Sequence, residues 1–179
     1  DKRKIGGYAT DVTSANVEHM ENGLLQGLDN WLYNSKSNRS LRIDDGTLQE
    51  REGLFRGQWG ITKDDFGRLL YNHNSTWIQA DFFAGEDLVL PGHGGRHKGL
   101  GVNLTAPAKV HSVRVNPGVN RAYLPNTLRE DGRLNNATGV SGLASYRGDQ
   151  FPDRYRGDVF VPEVAGNAVA QFDMSEEGM

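Results

Sequence analysis

The sequence predicts an all-β protein whose small sheets are arranged as blades of a β-propeller. Glycine accounts for 23 of the 179 residues, about twice its usual share, which favours many tight turns over long helices. No long window keeps apolar side chains at helical spacing without a Gly or an Asn-Asp cluster interrupting it. Short alternating segments recur instead, and two of them repeat at the spacing of propeller blades. The length suits one domain, which we expect to span residues 1–179.

The first sheet is predicted from four short segments that turn residues separate. Strands are expected at residues 23–28, 31–36, 40–44 and 48–52. Asp29-Asn30 lies between the first two strands, and Asp44-Asp45-Gly46 lies between the last two, as hairpin turns require. This order predicts a four-stranded antiparallel meander.

A second unit resembles the first. Strands are expected at residues 59–62, 68–72 and 77–83, with a turn at 64–67. The pair Tyr71-Asn72 lies 38 residues after Tyr33-Asn34, within the same local pattern. A third unit is expected at 142–147, 158–163 and 168–173. Between the second and third units, residues 85–110 have the Gly and Pro content of a long loop, and long loops often carry function.

Charge and composition exclude several classes of function. The formal charge is −3, which provides no field to attract nucleic acid, so a nucleic-acid partner is not expected. No apolar stretch is long enough to span a membrane. The chain contains no cysteine, so disulfides, Cys-ligated zinc and covalent haem attachment are excluded within it. The first residues read like the middle of a longer protein, and we expect the chain to be a fragment.

Four blocks of sequence carry a family resemblance. They are residues 19–33 (HMENGLLQGLDNWLY), 55–65 (FRGQWGITKDD), 117–121 (PGVNR) and 146–152 (YRGDQFP). With these blocks the chain resembles the membrane-bound dehydrogenase family of planctomycetes and their relatives. That family is similar to the soluble quinoprotein glucose and aldose-sugar dehydrogenases.

The resemblance implies a six-bladed propeller, of which this chain supplies three or four blades. It further implies oxidation of a sugar or alcohol, with pyrroloquinoline quinone as cofactor and a cytochrome c as electron acceptor. His19 stands where the family has its general base, and Arg56 stands where an Arg contacts the quinone. Asn38 and Arg121 are assigned to the same cofactor site. A periplasmic or extracellular location is implied by the resemblance alone.

Two departures from the family pattern favour a second hypothesis. Asn38 stands near the position of the acid that orients the histidine, and Ala165-Gly166 replace the basic residues that hold the cofactor's carboxylates. An amide cannot stabilise an imidazolium electrostatically as a carboxylate does. The alternative is a non-catalytic propeller that serves as a protein-docking or glycan-binding platform. The remaining blades or another protein chain are expected as partners in both cases.

Metal sites have weaker signals in this sequence. His93 and His97 have the spacing of a metal-ligand pair, but that spacing aligns two ligands on a helix and this segment is rich in glycine. The acidic turns at 44–46 and 64–67 raise calcium as a cofactor, although neither has the alternating ligands of a calcium loop. Hairpin turns are the favoured interpretation of both.

Overall fold

The computed structural model describes residues 19–86, 97–105 and 108–174, which form three antiparallel sheets. The first sheet is a four-stranded meander of β1 (Asn22–Gln26), β2 (Leu32–Ser35), β3 (Arg39–Asp44) and β4 (Thr47–Glu52). The second contains β5 (Ile61–Lys63), β6 (Leu69–His73), β7 (Thr76–Asp81) and β8 (Val102–Asn103), again in sequence order. The third contains β9 (Ala144–Ser145), β10 (Val159–Glu163) and β11 (Ala168–Phe172).

The all-β class is confirmed for the part of the chain that the structure describes. One 3₁₀ turn, Asp153–Tyr155, is the longest helical element within the described ranges. The three predicted meanders are present in their predicted order, and the turn at Asp45-Gly46 has positive φ at both residues (44° and 71°), as a two-residue hairpin requires. The predicted loop at 85–110 contains the short strand β8, while residues 87–96 and 106–107 lie outside the described part.

The second sheet lies between the other two. Successive side chains of its strand β6 point to opposite faces, and each face packs against a different sheet. Leu70 packs with Val159 and Val161 of the third sheet in the larger core cluster. Its neighbours Leu69 and Tyr71 pack with Tyr33 of the first sheet in a smaller cluster. The second sheet is therefore buried on both faces.

The first strands of the three sheets lie side by side. β1 contacts β5, and β5 contacts β9. Glycines make this approach close: a Cβ on Gly23 would lie 2.9 Å from the Cα of Gly60, and one on Gly60 would lie 3.1 Å from the Cα of Gly142. Gly60 also has φ of 112°, a conformation that side chains oppose. These glycines let three strand ends meet at one place.

Candidate functional site

The strand ends that meet at these glycines form the first candidate site, which we call the His19 corner (His19, Asn22, Gln58 and Trp59). His19 precedes β1, and Gln58 and Trp59 precede β5. The His19 ring is half-buried, with its centroid 5.2 Å from that of Trp59. The Nδ1 of His19 lies 3.1 Å from the Nε2 of Gln58.

The backbone and side chains around Gln58 hold this corner in place. The N–H of Gln58 donates to the carbonyl of Asn72 at 2.7 Å. Its own carbonyl accepts from the side-chain amide of Asn22 at 2.8 Å. The indole N–H of Trp59 donates to Asn74. The partner of His19 is thus fixed by two different sheets.

The contact with Gln58 couples the tautomer of His19 to the orientation of the Gln58 amide. With the amide nitrogen toward the ring, Nδ1 accepts and the neutral imidazole carries its hydrogen on Nε2. With the amide oxygen toward the ring, Nδ1–H donates and Nε2 has the free lone pair that a general base needs.

Arg56 lies away from this corner, in a buried ionic cluster. Its side chain is 2% exposed, and its Nε donates to Oδ2 of Asp81 at 2.6 Å. Its Nη1 pairs with Glu86, whose side chain is 1% exposed. The guanidinium lies 5.2 Å from the centre of the Tyr33 ring. Asp81 also accepts from the Tyr71 hydroxyl at 2.8 Å.

The electrostatics of this cluster favour charged partners. Burial raises the pKa of Glu86, but the hydrogen bond and charge of Arg56 outweigh burial and hold that pKa below its ordinary value of 4.5. Burial also raises the pKa of Tyr71, and the Asp81 carboxylate raises it further. Arg56 is therefore a cation held between two carboxylates inside the protein.

His19 and Arg56 are not brought into contact within the described part of the chain. Every interaction of Arg56 described above lies between the first two sheets, whereas His19 contacts Gln58 and Trp59. The cleft expected to be shared with residues 92–101 falls partly outside the described residues, since 92–96 are among those not described. A cleft shared by the two side chains stays a prediction.

The remaining predicted site residues lie elsewhere. The side chain of Asn38 is exposed, and its carbonyl accepts from the N–H of Gly53 at 2.6 Å. Arg121 is exposed, with φ of 62°, and donates to Oγ of Ser75 at 3.2 Å. His93 lies outside the described residues. Among the residues described, no group of three or more metal-ligating side chains gathers.

A buried carboxylate binds the backbone of the turn at Ala165-Gly166, where the resemblance implies cofactor-binding cations. Glu163 is fully buried and accepts from the N–H groups of Thr138 (3.1 Å), Gly139 (2.6 Å) and Gly166. A carboxylate at this place does not bind the carboxylates of a quinone. Neither this turn nor Arg56, which Asp81 and Glu86 engage, fits as a contact to pyrroloquinoline quinone.

A second candidate site lies at the opposite end of β1, and sequence reasoning missed it. We call it the aromatic cleft. It has a volume of about 210 Å³ and lies where the β1–β2 turn, the β5–β6 turn and the residues after β7 meet. Its lining consists of Gly27, Leu28, Asp29, Tyr33, Phe66, Gly67, Arg68, Leu69, Asp81, Phe82, Phe83 and Ala84.

The β5–β6 turn is built to hold an aromatic ring at the rim of the aromatic cleft. Oδ1 of Asp64 accepts from the N–H groups of Phe66 and Arg68, each at 2.9 Å. The other oxygen pairs with the Arg68 side chain. The Arg68 guanidinium lies 5.2 Å from the Phe66 ring centre and 5.6 Å from that of Phe82. Phe66 is nevertheless 71% exposed.

Asp29 is a positioned carboxylate in the wall of the aromatic cleft. Oδ2 accepts from the Tyr33 hydroxyl at 2.5 Å and lies 3.4 Å from the guanidinium of Arg51. Oδ1 accepts from the N–H of Trp31 at 3.2 Å. The Asp29 side chain is still 40% exposed, so it can also meet a ligand.

The chain belongs to the family described as a domain of unknown function, DUF7133, which it matches over residues 1–179. No curated protein and no solved structure matches it. Within the described residues, no helix has the length and apolar character needed to cross a membrane.

Proposed function

We propose that the chain forms part of a β-propeller that binds a ligand without converting it, as a docking or glycan-binding platform in a larger assembly. Three sequential antiparallel sheets support the propeller, because each meander begins with an innermost strand beside that of its neighbour. The close packing of Gly23, Gly60 and Gly142 supports a common axis near these strands.

One observation carries the binding role: the groups that catalysis would need are engaged in other contacts. Arg56 forms ion pairs with both Asp81 and Glu86 inside the protein. The Nδ1 of His19 is engaged by the Gln58 side chain, and with the amide nitrogen as donor Nε2 presents an N–H, which suits recognition of a ligand oxygen. The neighbouring indole of Trp59 adds an apolar face.

The outer flanks support contact with other polypeptide. Ile43 is 50% exposed on the face of the first sheet that is turned away from the second. Val169 is 66% exposed on the corresponding face of the third sheet. In a propeller both faces would pack against further blades, which we propose as the partners of this chain.

Two measurements test the binding role. Nitrogen-15 NMR of the His19 ring is expected to show the Nε2–H tautomer at neutral pH. The full-length protein, reconstituted with pyrroloquinoline quinone and offered sugars and alcohols, is expected to show no turnover. Turnover that falls when His19 is replaced by Gln would overturn the proposal.

A sugar or alcohol dehydrogenase is the second candidate, favoured by the position of His19 directly before β1 and beside β5. In that case residues outside the described part would hold the quinone, which supplies a hydride acceptor when bound, and a cytochrome c would accept the electrons in the periplasm or outside the cell.

His19 would take a proton from the substrate hydroxyl, and His19→Gln would lower turnover by roughly 10²- to 10⁴-fold. Gln58→Glu would then raise turnover, because a carboxylate accepts from Nδ1–H and leaves Nε2 as the base.

A further inference from the structure

We infer that the aromatic cleft binds one pyranose ring of a neutral carbohydrate. The inference rests on the proposed binding role and deepens it by naming the ligand and the place. It does not depend on His19. β1 has five residues, so its two ends lie roughly 13 Å apart, with His19 before one and the cleft beside the other.

The apolar wall of the aromatic cleft indicates a ligand with an apolar face. Phe66 and Leu28 are 71% and 70% exposed, and both line the same cavity. Exposed apolar side chains gathered at one place mark binding sites more often than scattered ones do. The axial C–H groups of a pyranose form a flat apolar face that can cover a phenyl ring.

The turn chemistry shows that the exposed ring is held in place before any ligand arrives. Asp64 fixes the backbone of Phe66, and the Arg68 guanidinium stacks against the ring. Gly67, at φ of 81°, packs against Leu28, and a Cβ on it would lie 2.5 Å from a methyl carbon of that side chain. A wall that is already ordered loses little entropy on binding.

The polar groups of the aromatic cleft select a neutral, hydroxyl-bearing ligand. Asp29 uses three of about four acceptor positions on its protein partners, which leaves capacity for a ligand hydroxyl. Arg68 carries the opposite charge in the same lining. An anion would meet the carboxylates of Asp29 and Asp81, and a cation would meet Arg68, whereas a hydroxyl can donate to a carboxylate without bringing a charge into the cleft.

The size of the cleft limits the ligand to one ring. Its volume of about 210 Å³ is below the range of roughly 300 to 1,000 Å³ that drug-sized ligands occupy. Longer glycans would extend past Phe66 into solvent. A single ring with few contacts predicts weak binding, with a dissociation constant on the order of 1 mM.

Titration of the chain with the methyl glycosides of glucose, galactose and mannose tests the inference, with binding followed by NMR at the Gly67 and Ala84 amides. Sorbitol, which has the hydroxyls but no ring, serves as the ligand control. We expect saturable binding of at least one glycoside and none of sorbitol. Phe66→Ala and Asp29→Asn should each weaken binding about 3- to 10-fold.

Two control variants separate this site from the rest of the molecule. Tyr123→Ala removes an aromatic side chain that is 85% exposed and lies outside the cleft lining, so it should leave affinity unchanged. His19→Gln tests whether the sugar binds at the His19 corner instead. Sugar binding that is lost in His19→Gln but kept in Phe66→Ala would overturn the inference that the aromatic cleft is the sugar site. The proposed binding role would stand. Binding of no pyranose would also overturn the inference, and the turnover assay would decide the proposed function separately.

Discussion

Replacing Arg56 by Met tests whether Arg56 is a structural cation or a cofactor contact. The substitution keeps much of the side chain's apolar volume and removes the charge. It leaves Asp81 and Glu86, which are 2% and 1% exposed at their side chains, without the guanidinium that pairs with both. Breaking one buried ion pair from one side costs about 3 to 5 kcal/mol.

This loss is large for a chain of 179 residues. Domains are stable by about 5 to 15 kcal/mol in total. At about 2 to 4 °C per kcal/mol for this size, the melting temperature should fall by about 6 to 20 °C. Arg56→Lys should recover part of the loss, because an ammonium restores the charge but not the two-sided geometry of the guanidinium.

The pH dependence of stability distinguishes the loss of the buried ion pairs from a simple loss of side-chain volume in the core. In the wild type the pKa of Glu86 is lowered in the folded state, so its stabilising contribution is present above 4.5 and is lost as the pH falls below that value. Without Arg56, burial is the largest cause, is opposed only by backbone hydrogen bonds, and should raise the pKa of Glu86. The variant should therefore gain stability as the pH falls toward 5, which is the opposite sign.

Urea denaturation followed by circular dichroism between about pH 4 and 8 measures both effects. Arg133→Met is the matched control, since the ion pair of Arg133 with Asp131 is exposed and its loss should leave stability unchanged. A melting temperature of Arg56→Met equal to that of the wild type would refute the structural role of Arg56. A variant of normal stability that lost quinone or substrate binding would return Arg56 to the cofactor site.

Three further substitutions test other parts of the structure. Gly60→Ala should cost about 1 to 3 kcal/mol in urea denaturation with the strand content unchanged, because φ is 112° and the new Cβ would meet Gly142; an unaffected midpoint would contradict the close approach. Tyr33→Phe should cost about 0.5 to 1.5 kcal/mol by removing the hydrogen bond to Asp29, and equal stability would show that this bond is dispensable. Burial lowers the pKa of His73 below 6.5, so the wild type should lose stability as the pH falls through that value. His73→Gln should flatten the dependence of stability on pH between about pH 5 and 7. Parallel pH profiles of the two proteins would exclude this role.

The strands could be predicted because their signals are local. Tyr33 and Tyr71, which the 38-residue offset places in register, both lie on the second strand of a sheet. Each is buried, and each donates its hydroxyl to a carboxylate, Asp29 or Asp81. The repeat in sequence therefore corresponds to a repeat of contacts. Alternation and turn residues were sufficient to predict both meanders.

Strands that depend on a distant partner were harder to predict. β8 has two residues and lies within a glycine-rich segment, so it has no alternation to recognise. It forms because β7 offers a free edge to Val102 and Asn103. Residues 108–143 form isolated β-bridges, such as that of Lys109 with Asn136, and no strand. Their buried side chains therefore follow no strand or helix period that the sequence could reveal.

The role of Arg56 depends on residues that follow it by 25 and 30 positions. The sequence shows an Arg four residues before a Gly, which fits a cofactor contact and a structural cation equally well. The structure places Asp81 at the end of β7 and Glu86 five residues later, and the Arg56 guanidinium forms an ion pair with each. Arg56 thereby holds the segment that contributes Phe82, Phe83 and Ala84 to the aromatic cleft.

The aromatic cleft was missed because each of its parts has a sufficient local explanation. Asp64 to Gly67 was interpreted as a hairpin turn, and it is one, since Asp64 caps the turn and Gly67 has positive φ. A hairpin turn does not need an exposed phenyl ring at its tip, however, and Asp or Asn at that position would serve the turn better. The residue that is unnecessary for folding is Phe66, and the β1–β2 turn places Leu28 beside it in the same way. A site assembled from the tips of two turns becomes visible only when the sheets bring those tips together.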